Sequence, residues 1–340
     1  MQNNTNKTVV VTGVTGFLGS HTSIQLLKAG FNVRGTLRSL KRSTEIKKII
    51  LDQVGDTQAT ISFFECDLSK DKGWDKAMES ADYVIHTASP FLSYIPKDEN
   101  EIIKPAVEGT LRVLKMANDH HVQRVVLTSS VAAILYGHEG KLQTEDCWTE
   151  TDNKRVTPYY KSKTLAERAA WDFSKKTGLQ LSVINPGIIL GPVLESDYGT
   201  SAEVIIKLMD KSLPAIPKIG FTVSDVRDVA QAHILAMTSP EAVGERYIAA
   251  SKFMWMSDIA DTLREQFPTH KIPTRTLPNC LVKILSYFDP ALKTVVKDLG
   301  FKHNMSNEKA KKQLNWNQRS EEKTILDTTQ SLIKQGAIKL

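Results

Sequence analysis

The stretch Thr8–Gly19, TVVVTGVTGFLG, decides the fold of this chain. The unbroken run of β-branched residues before its first glycine predicts a strand that is buried on both faces. Three glycines follow, and the helix that they open is predicted over residues 17–29. This arrangement forms a pyrophosphate site, because backbone N–H groups and the positive end of the helix dipole face the anion.

The glycines are spaced G-x-x-G-x-x-G, which differs from the G-x-G-x-x-G of many dehydrogenases. Gly13 permits the tight turn, Gly16 lets the backbone approach the phosphates, and Gly19 lets the helix pack close to the strand. A glycine triplet alone is weak evidence, and the alternative is an ordinary strand-to-helix turn. Its position directly after a buried strand favours the dinucleotide site.

The composition excludes several classes of protein. The chain has 340 residues, of which 41% are hydrophobic, and this suits a globular protein with one large domain or two closely associated ones. It has no apolar run of membrane-spanning length, and its polar N-terminus leaves no room for a signal peptide, so we expect a cytoplasmic protein. The net charge of +6 is spread along the chain, and we therefore expect no nucleic-acid partner. Three widely separated cysteines show no zinc spacing, so no metal is expected.

The second predicted strand, residues 31–37, points to the choice of cofactor. It ends at Arg38, where an acidic residue would bind the ribose 2′-hydroxyl of NAD. Here Arg38 is followed by Lys41 and Arg42, and such a cationic cluster favours the 2′-phosphate of NADP. An exposed basic turn is the alternative interpretation.

Strands and helices alternate through the first half of the chain, which predicts an α/β fold with a Rossmann-type, doubly wound parallel sheet. After Gly191 the pattern becomes irregular, and we expect a smaller, interleaved C-terminal substrate domain. The predicted NADP-binding domain covers residues 1–186, with a return segment at about 222–238. The predicted substrate domain covers residues 187–221 and 239–340.

Three side chains suggest the chemistry. Ser130 follows the fifth predicted strand, and Tyr159 and Lys163 lie four residues apart on one face of a predicted helix. A carbonyl that accepts a hydride needs a proton on its oxygen, and a phenol with a pKa of about 10 is a weak donor at neutral pH. A neighbouring ammonium group lowers that pKa, so we predict that Lys163 activates Tyr159 and that Ser130 donates to the carbonyl oxygen. A surface Tyr–Lys contact is the alternative.

Several segments of the chain share their sequence with one family. They are VTGVTGFLG, TLRS, CDL, HTASP, ENEIIKPAVEGT, VVLTSS, YYKSKTLAERAAW, INPGIILGP and VRDVAQAH. On these motifs the chain resembles the extended short-chain dehydrogenase/reductase family. Within that family it is similar to the branch of dihydroflavonol reductases, cinnamoyl-CoA reductases and yeast-type methylglyoxal or carbonyl reductases.

The resemblance implies NADPH-dependent reduction of a ketone or aldehyde, with Ser130, Tyr159 and Lys163 as catalytic residues. It also implies a set of residues around the cofactor: Thr12, Gly13, Gly16, Phe17, Leu18, Gly19, Arg38, Arg42, Asp67, Leu68, Thr87, Ala88, Ser89, Tyr159, Lys163, Pro186 and Ile189. From the sequence alone, Asp67 could border the adenine or could cap the short helix that follows it.

Departures from the family pattern narrow the expected substrate. Ala106 stands where many members have asparagine, and Leu135 stands where the flavonoid enzymes have asparagine. The segment TPYYKSK lacks the asparagine-, tryptophan- and cysteine-rich motif of the cinnamoyl-CoA enzymes. A general carbonyl reductase with an apolar pocket remains, and the pocket is predicted to contain residues after Gly191 together with Phe91, Tyr94, Leu135 and Tyr160.

The expected partner is a small-molecule carbonyl compound, bound by a monomer or by a homodimer that pairs through helices 99–118 and 159–175. Two other functions stay open at this point. One is a nucleotide-sugar epimerase or sterol-type dehydrogenase of the same fold. The other is a non-catalytic regulator that binds NADP.

Overall fold

The computed structural model describes residues 7–90, 94, 96–196, 198–287 and 296–339. Its strands are β1 (Thr8–Thr12), β2 (Asn32–Leu37), β3 (Ile61–Glu65), β4 (Tyr83–His86), β5 (Arg124–Thr128), β6 (Leu181–Pro186), β7 (Ile188–Leu190), β8 (Ile216–Pro217), β9 (Gly220–Asp225), β10 (Arg246–Ala249), β11 (Phe253–Trp255) and β12 (Thr276–Leu277). Its helices are α1 (Phe17–Lys28), α2 (Ser43–Val54), α3 (Trp74–Met78), α4 (Asn100–Asp119), α5 (Pro158–Thr177), α6 (Glu203–Met209), α7 (Val226–Thr238), α8 (Met256–Gln266), α9 (Asn279–Leu285), α10 (Glu308–Leu314) and α11 (Glu321–Lys334).

The central sheet has seven parallel strands in the order β10-β6-β5-β4-β1-β2-β3. From the opposite edge, strands β3-β2-β1-β4-β5-β6 follow the Rossmann order 3-2-1-4-5-6. The predicted doubly wound sheet is therefore confirmed. In this order the carboxyl ends of β1 and β4 are neighbours, and the chain turns to opposite sides of the sheet after them. A crevice for a ligand therefore opens at these strand ends.

Strand β1 is buried on both faces, as its sequence predicts. Val9 and Val11 belong to the core on the side of α1 and α7, whereas Val10 belongs to the core on the side of α4. All three side chains have no exposed surface. Helices thus cover both faces of the sheet, which is why the strand needs apolar residues at consecutive positions.

Strand β10 is an element that the sequence analysis does not predict. The predicted division places residues 239–340 in the substrate domain, yet β10 pairs in parallel with β6 at the edge of the central sheet, with Tyr247 opposite Ile184. A run of four residues is too short a pattern to predict a strand. These four residues therefore belong to the central sheet and not to the substrate domain in which the prediction placed them.

The return of the chain after β8 also differs from the prediction. Residues 220–225 form β9, which pairs in parallel with β7 and antiparallel with β11 in a separate three-stranded sheet. This strand does not join the central sheet, because β10 already occupies the edge beside β6. The return is made by α7 instead, which packs against α1 and contributes Val226 and Val229 to the core beneath the glycine turn.

Helices α4 and α5 pack against each other on one face of the central sheet. Among the helices of the described residues, none has both the length and the apolar character needed to cross a lipid bilayer.

Candidate active site

The turn after β1 requires glycine at two positions. Gly13 adopts φ of +68°, and its carbonyl accepts a hydrogen bond from the Gly16 N–H at 2.9 Å. A Cβ atom on Gly19 would lie 2.2 Å from the Gly13 carbonyl oxygen, closer than any real contact. The first turn of α1 therefore packs directly on the strand end, and its N-terminus opens towards the crevice.

A cleft of about 740 Å³ begins at this glycine turn and extends along the ends of β2, β3 and β4. Most of the residues that the family resemblance implies around the cofactor line it: Gly13, Gly16, Phe17, Leu18, Gly19, Arg38, Asp67, Leu68, Thr87, Ala88 and Ser89. The sequence analysis missed Thr15, Trp74 and Arg112, which also line the cleft. Thr15 lies within the glycine turn itself, whereas nothing in the local pattern marks Trp74 and Arg112, which reach the cleft through packing.

Asp67 lies in the wall of the cleft and does not take the second of its two predicted roles, that of a helix cap. It lines the cleft, and its carboxylate accepts hydrogen bonds from the N–H and the hydroxyl of Ser69, both at 2.8 Å. These bonds lower the pKa of Asp67. The carboxylate closes a turn rather than capping a helix, because α3 begins only at Trp74.

Thr12 and Arg42 are two of the predicted cofactor residues that do not line the cleft. Thr12 is fully buried, and its hydroxyl bonds to His86 Nδ1 at 2.7 Å and accepts the Ala88 N–H at 3.1 Å. It therefore holds the loop that faces Gly13. Arg42 forms ion pairs with Glu45 and Glu195, and it is not among the residues that line the cleft beside Arg38.

The two residues predicted to flank the nicotinamide, Pro186 and Ile189, lie beside a second cavity without appearing in its wall. The Pro186 carbonyl accepts the Ser130 hydroxyl at 3.4 Å. The residues between them, Gly187 and Ile188, line the cavity.

Ser130 and Tyr159, two of the three predicted catalytic residues, lie in the wall of this second cavity, which measures about 650 Å³. Ser130 lies just beyond the end of β5, and Tyr159 lies in the first turn of α5, after the helix-starting Pro158. The two side chains share a hydrogen bond, and both line the cavity. On the same helix face, Lys163 Nζ donates to the Ser89 hydroxyl at 3.0 Å, and Ser89 lines the cofactor cleft.

Burial controls the ionisation of this pair. It raises the pKa of Tyr159, although the hydrogen bond with Ser130 acts in the opposite direction. It lowers the pKa of Lys163 to about 8, although the charge of Glu167 acts in the opposite direction. The sequence analysis predicts a lowered pKa for Tyr159, and the net direction in the structure is the reverse because desolvation is the largest contribution. At neutral pH the phenol is therefore protonated.

A buried carboxylate one helical turn after Lys163 fixes the position of α5. Glu167 accepts hydrogen bonds from Ser129 Oγ at 2.5 Å, from Asn185 Nδ2 at 2.9 Å and from Arg246 Nε at 2.5 Å. These partners lie at the ends of β5 and β6 and on β10, so a single ionic group ties the helix to three strands. The sequence analysis missed it because Arg246 belongs to the unpredicted strand.

The second cavity receives most of its wall from the second half of the chain. Leu135 and Tyr160 line it, as predicted, together with Ile188, Phe221 and Met256. Tyr94 does not line it, because its ring is 57% exposed and its hydroxyl lies 3.5 Å from Glu101. Phe91 lies outside the described residues.

Residues 9–250 match the model of the NAD dependent epimerase/dehydratase family. The chain belongs to this family of extended short-chain dehydrogenases/reductases. It is 33% identical over 281 residues to cinnamoyl-CoA reductase CAD2 of Medicago truncatula, covering 80% of this chain and 84% of that protein. It is 32% identical over 286 residues to dihydroflavonol 4-reductase of Gerbera hybrida, covering 81% of this chain and 76% of that protein.

Among solved structures, the chain is similar to yeast methylglyoxal/isovaleraldehyde reductase Gre2 complexed with NADPH. The TM-score is 0.79 at 29% identity, covering 97% of this chain and 100% of that one. The family membership confirms the predicted resemblance, the nicotinamide cofactor and the assignment of the chain as an oxidoreductase.

Substitution of Gly19 by alanine is expected to weaken binding of the dinucleotide by at least about tenfold, because the new Cβ forces the Gly13 turn away from its position. Titration of the intrinsic fluorescence with NADPH measures the affinity. Ser20→Ala changes the next residue of α1, whose hydroxyl bonds back to Phe17, and serves as the control. Equal affinities of the two variants would contradict the proposed turn.

Proposed function

We propose that this protein is an NADPH-dependent carbonyl reductase, which transfers a hydride to a small or medium-sized apolar aldehyde or ketone and gives the alcohol. One observation carries the proposal. Tyr159 and Ser130 are hydrogen-bonded in the wall of a largely apolar cavity, while Lys163, one turn along the same helix, bonds to a residue of the glycine-turn cleft. A proton donor thus lies at the junction of a dinucleotide cleft and a substrate cavity.

The residues of the cleft fit the proposed cofactor. The Gly13–Gly19 turn allows the pyrophosphate to approach the α1 N-terminus, and Arg38 supplies a guanidinium for the 2′-phosphate. When bound, the nicotinamide supplies the hydride. The yeast relative, whose structure contains NADPH, is a reductase of methylglyoxal and isovaleraldehyde, which are small carbonyl compounds and support the same class of substrate here.

The side chains of this protein then orient the carbonyl group and donate the proton to it. Ser130 orients the carbonyl oxygen by donating a hydrogen bond to it, and Tyr159 gives its phenolic proton to that oxygen as negative charge develops there. The raised pKa of Tyr159 keeps the proton in place until then. The positive charge of Lys163 stabilises the phenolate that remains.

The wall of the cavity supports an apolar substrate. Leu135 cannot donate a hydrogen bond, and it lies beside Val131 and Ala132 in the same segment. Ile219, Phe221 and Met256 extend the apolar wall from the second half of the chain. The proposal also includes a cytoplasmic location and a monomer or a homodimer paired through α4 and α5.

Tyr159→Phe is expected to lower kcat by about 10²- to 10⁴-fold, because it removes the proton donor and leaves the cofactor cleft intact. NADPH consumption is followed spectrophotometrically across aldehydes, diketones, ketoesters and aryl ketones, and NADPH affinity is measured separately. Tyr160→Phe removes the neighbouring hydroxyl and is expected to reduce kcat by less than about tenfold. Full activity in Tyr159→Phe would refute the assignment of the acid.

The rate of carbonyl reduction is expected to depend on the charge of Lys163. Because the pKa of Lys163 is about 8, the ammonium form is present below that pH and is lost as the pH rises through it. We therefore expect kcat/KM to fall above about pH 8. Lys163→Arg keeps its charge throughout this range, so the fall should move to higher pH in that variant. An unchanged pH profile would exclude Lys163 as the titrating group.

Arg38→Gln is expected to raise the KM for NADPH by about 10- to 100-fold and to leave the KM for NADH nearly unchanged, because it removes charged hydrogen bonds to the 2′-phosphate. Steady-state kinetics with both cofactors measures the change. Arg42→Gln is the matched control, because the ion pairs of Arg42 with Glu45 and Glu195 hold it outside the cleft. A larger effect at Arg42 than at Arg38 would reverse the assignment.

A further inference from the structure

The substrate cavity has a polar end that the proposed chemistry does not use. Asp298 and His303 line the cavity, and Asp298 lies next to Tyr160. The other acidic residue in the wall, Glu203, forms an ion pair with Lys207 at 3.4 Å, and both of these side chains are about half exposed. Asp298 is therefore the feature of the wall that most needs an explanation.

Two neutral phenols hold the Asp298 carboxylate in place. Tyr136 has no exposed surface, and its hydroxyl donates a hydrogen bond to Oδ1 of Asp298. The hydroxyl of Tyr160 donates to Oδ2 over 3.4 Å. The second distance is long, so Oδ2 retains capacity to accept a better donor. Burial raises the pKa of Asp298, and this effect outweighs the nearby charges of Arg155 and Lys297.

Aromatic packing makes the polar end rigid. The rings of Tyr136 and Tyr160 meet edge to face with centroids 5.0 Å apart, and Phe301 stacks on Tyr136 at 5.3 Å. Arg155 lies over the ring of Phe301, at 4.8 Å, and does not line the cavity. The carboxylate is thus fixed relative to Tyr160, whose ring in turn packs against that of Tyr159 with centroids 5.9 Å apart.

His303, also in the wall, has a ring nitrogen without a partner among the described residues. The residue is only 5% exposed, and within the described part of the chain its Nδ1 atom forms no hydrogen bond. Burial lowers the pKa of His303 to about 4, so the imidazole is neutral at physiological pH. A neutral imidazole gives an anionic ligand group no opposite charge to pair with.

We propose that Asp298, with Tyr160 beside it, selects carbonyl compounds that carry a neutral hydroxyl group away from the reacting carbonyl, and discriminates against compounds with an anionic group there. The inference rests on the proposed function, because it places the carbonyl at Ser130 and Tyr159. A hydroxyl donates to the fixed carboxylate, whereas a second carboxylate would place two like charges in a poorly solvated cavity.

Three ketones of the same skeleton test the inference: para-hydroxybenzylacetone, benzylacetone and para-carboxybenzylacetone. Calorimetric titration into the enzyme–NADPH complex gives their dissociation constants and does not depend on turnover. The hydroxyl compound is expected to bind about tenfold more tightly than benzylacetone, and the carboxylate compound about tenfold more weakly. Equal binding of the hydroxyl and carboxylate compounds, or no binding of the hydroxyl compound, would overturn the inference.

Asp298→Asn keeps the size of the side chain and removes its charge. In this variant, the preference for the hydroxyl compound over the carboxylate compound, measured as the ratio of their dissociation constants, is expected to fall by about tenfold or more. Glu203→Gln is the matched control and should keep the wild-type preference. An unchanged ratio in Asp298→Asn would also overturn the inference. The order of the three ketones in the wild-type protein tests the inference even if the variant does not fold. If the proposed function itself is wrong, no carbonyl compound will be reduced, and this outcome differs from an unchanged preference between the three ketones.

Discussion

The buried carboxylate of Glu167 is the interaction on which the geometry of the site depends. It lies on the catalytic helix and receives hydrogen bonds from Ser129 and Asn185 and an ion pair from Arg246. Loss of one partner from such a buried pair leaves a charge uncompensated, which costs about 3–5 kcal/mol, so the helix and the strand ends are held in one arrangement. The position of Tyr159 next to Ser130 follows from that arrangement.

The same lack of water acts on both members of the tyrosine–lysine pair, in opposite directions. It raises the pKa of Tyr159 and lowers the pKa of Lys163, because in each case the charged form loses solvation. The phenol is therefore a protonated donor at neutral pH, and the ammonium group is close to its titration range. Reduction requires a proton to pass from Tyr159 to the substrate oxygen, and these two protonation states are consistent with that direction.

The two halves of the site are built in different ways. The cofactor cleft is assembled from the ends of adjacent parallel strands, whose position follows from the Rossmann strand order. The second cavity combines Leu135 with residues much further along the chain, such as Phe221 and Asp298. The cleft therefore belongs to the regular part of the fold, and the second cavity depends on later segments of the chain that pack against it.

The sequence by itself determined the glycine turn, the six strands of the Rossmann order, the four-residue spacing of Tyr159 and Lys163 on one helix, and the position of Arg38 after β2. Each of these depends on neighbouring residues or on the periodicity of one element. The tertiary structure alone decided that Arg246 would pair with Glu167, that Arg42 would pair with Glu195, and that Asp298 would line the cavity. It also decided the direction of the Tyr159 pKa. These outcomes depend on contacts between distant segments and on burial, and local sequence specifies neither.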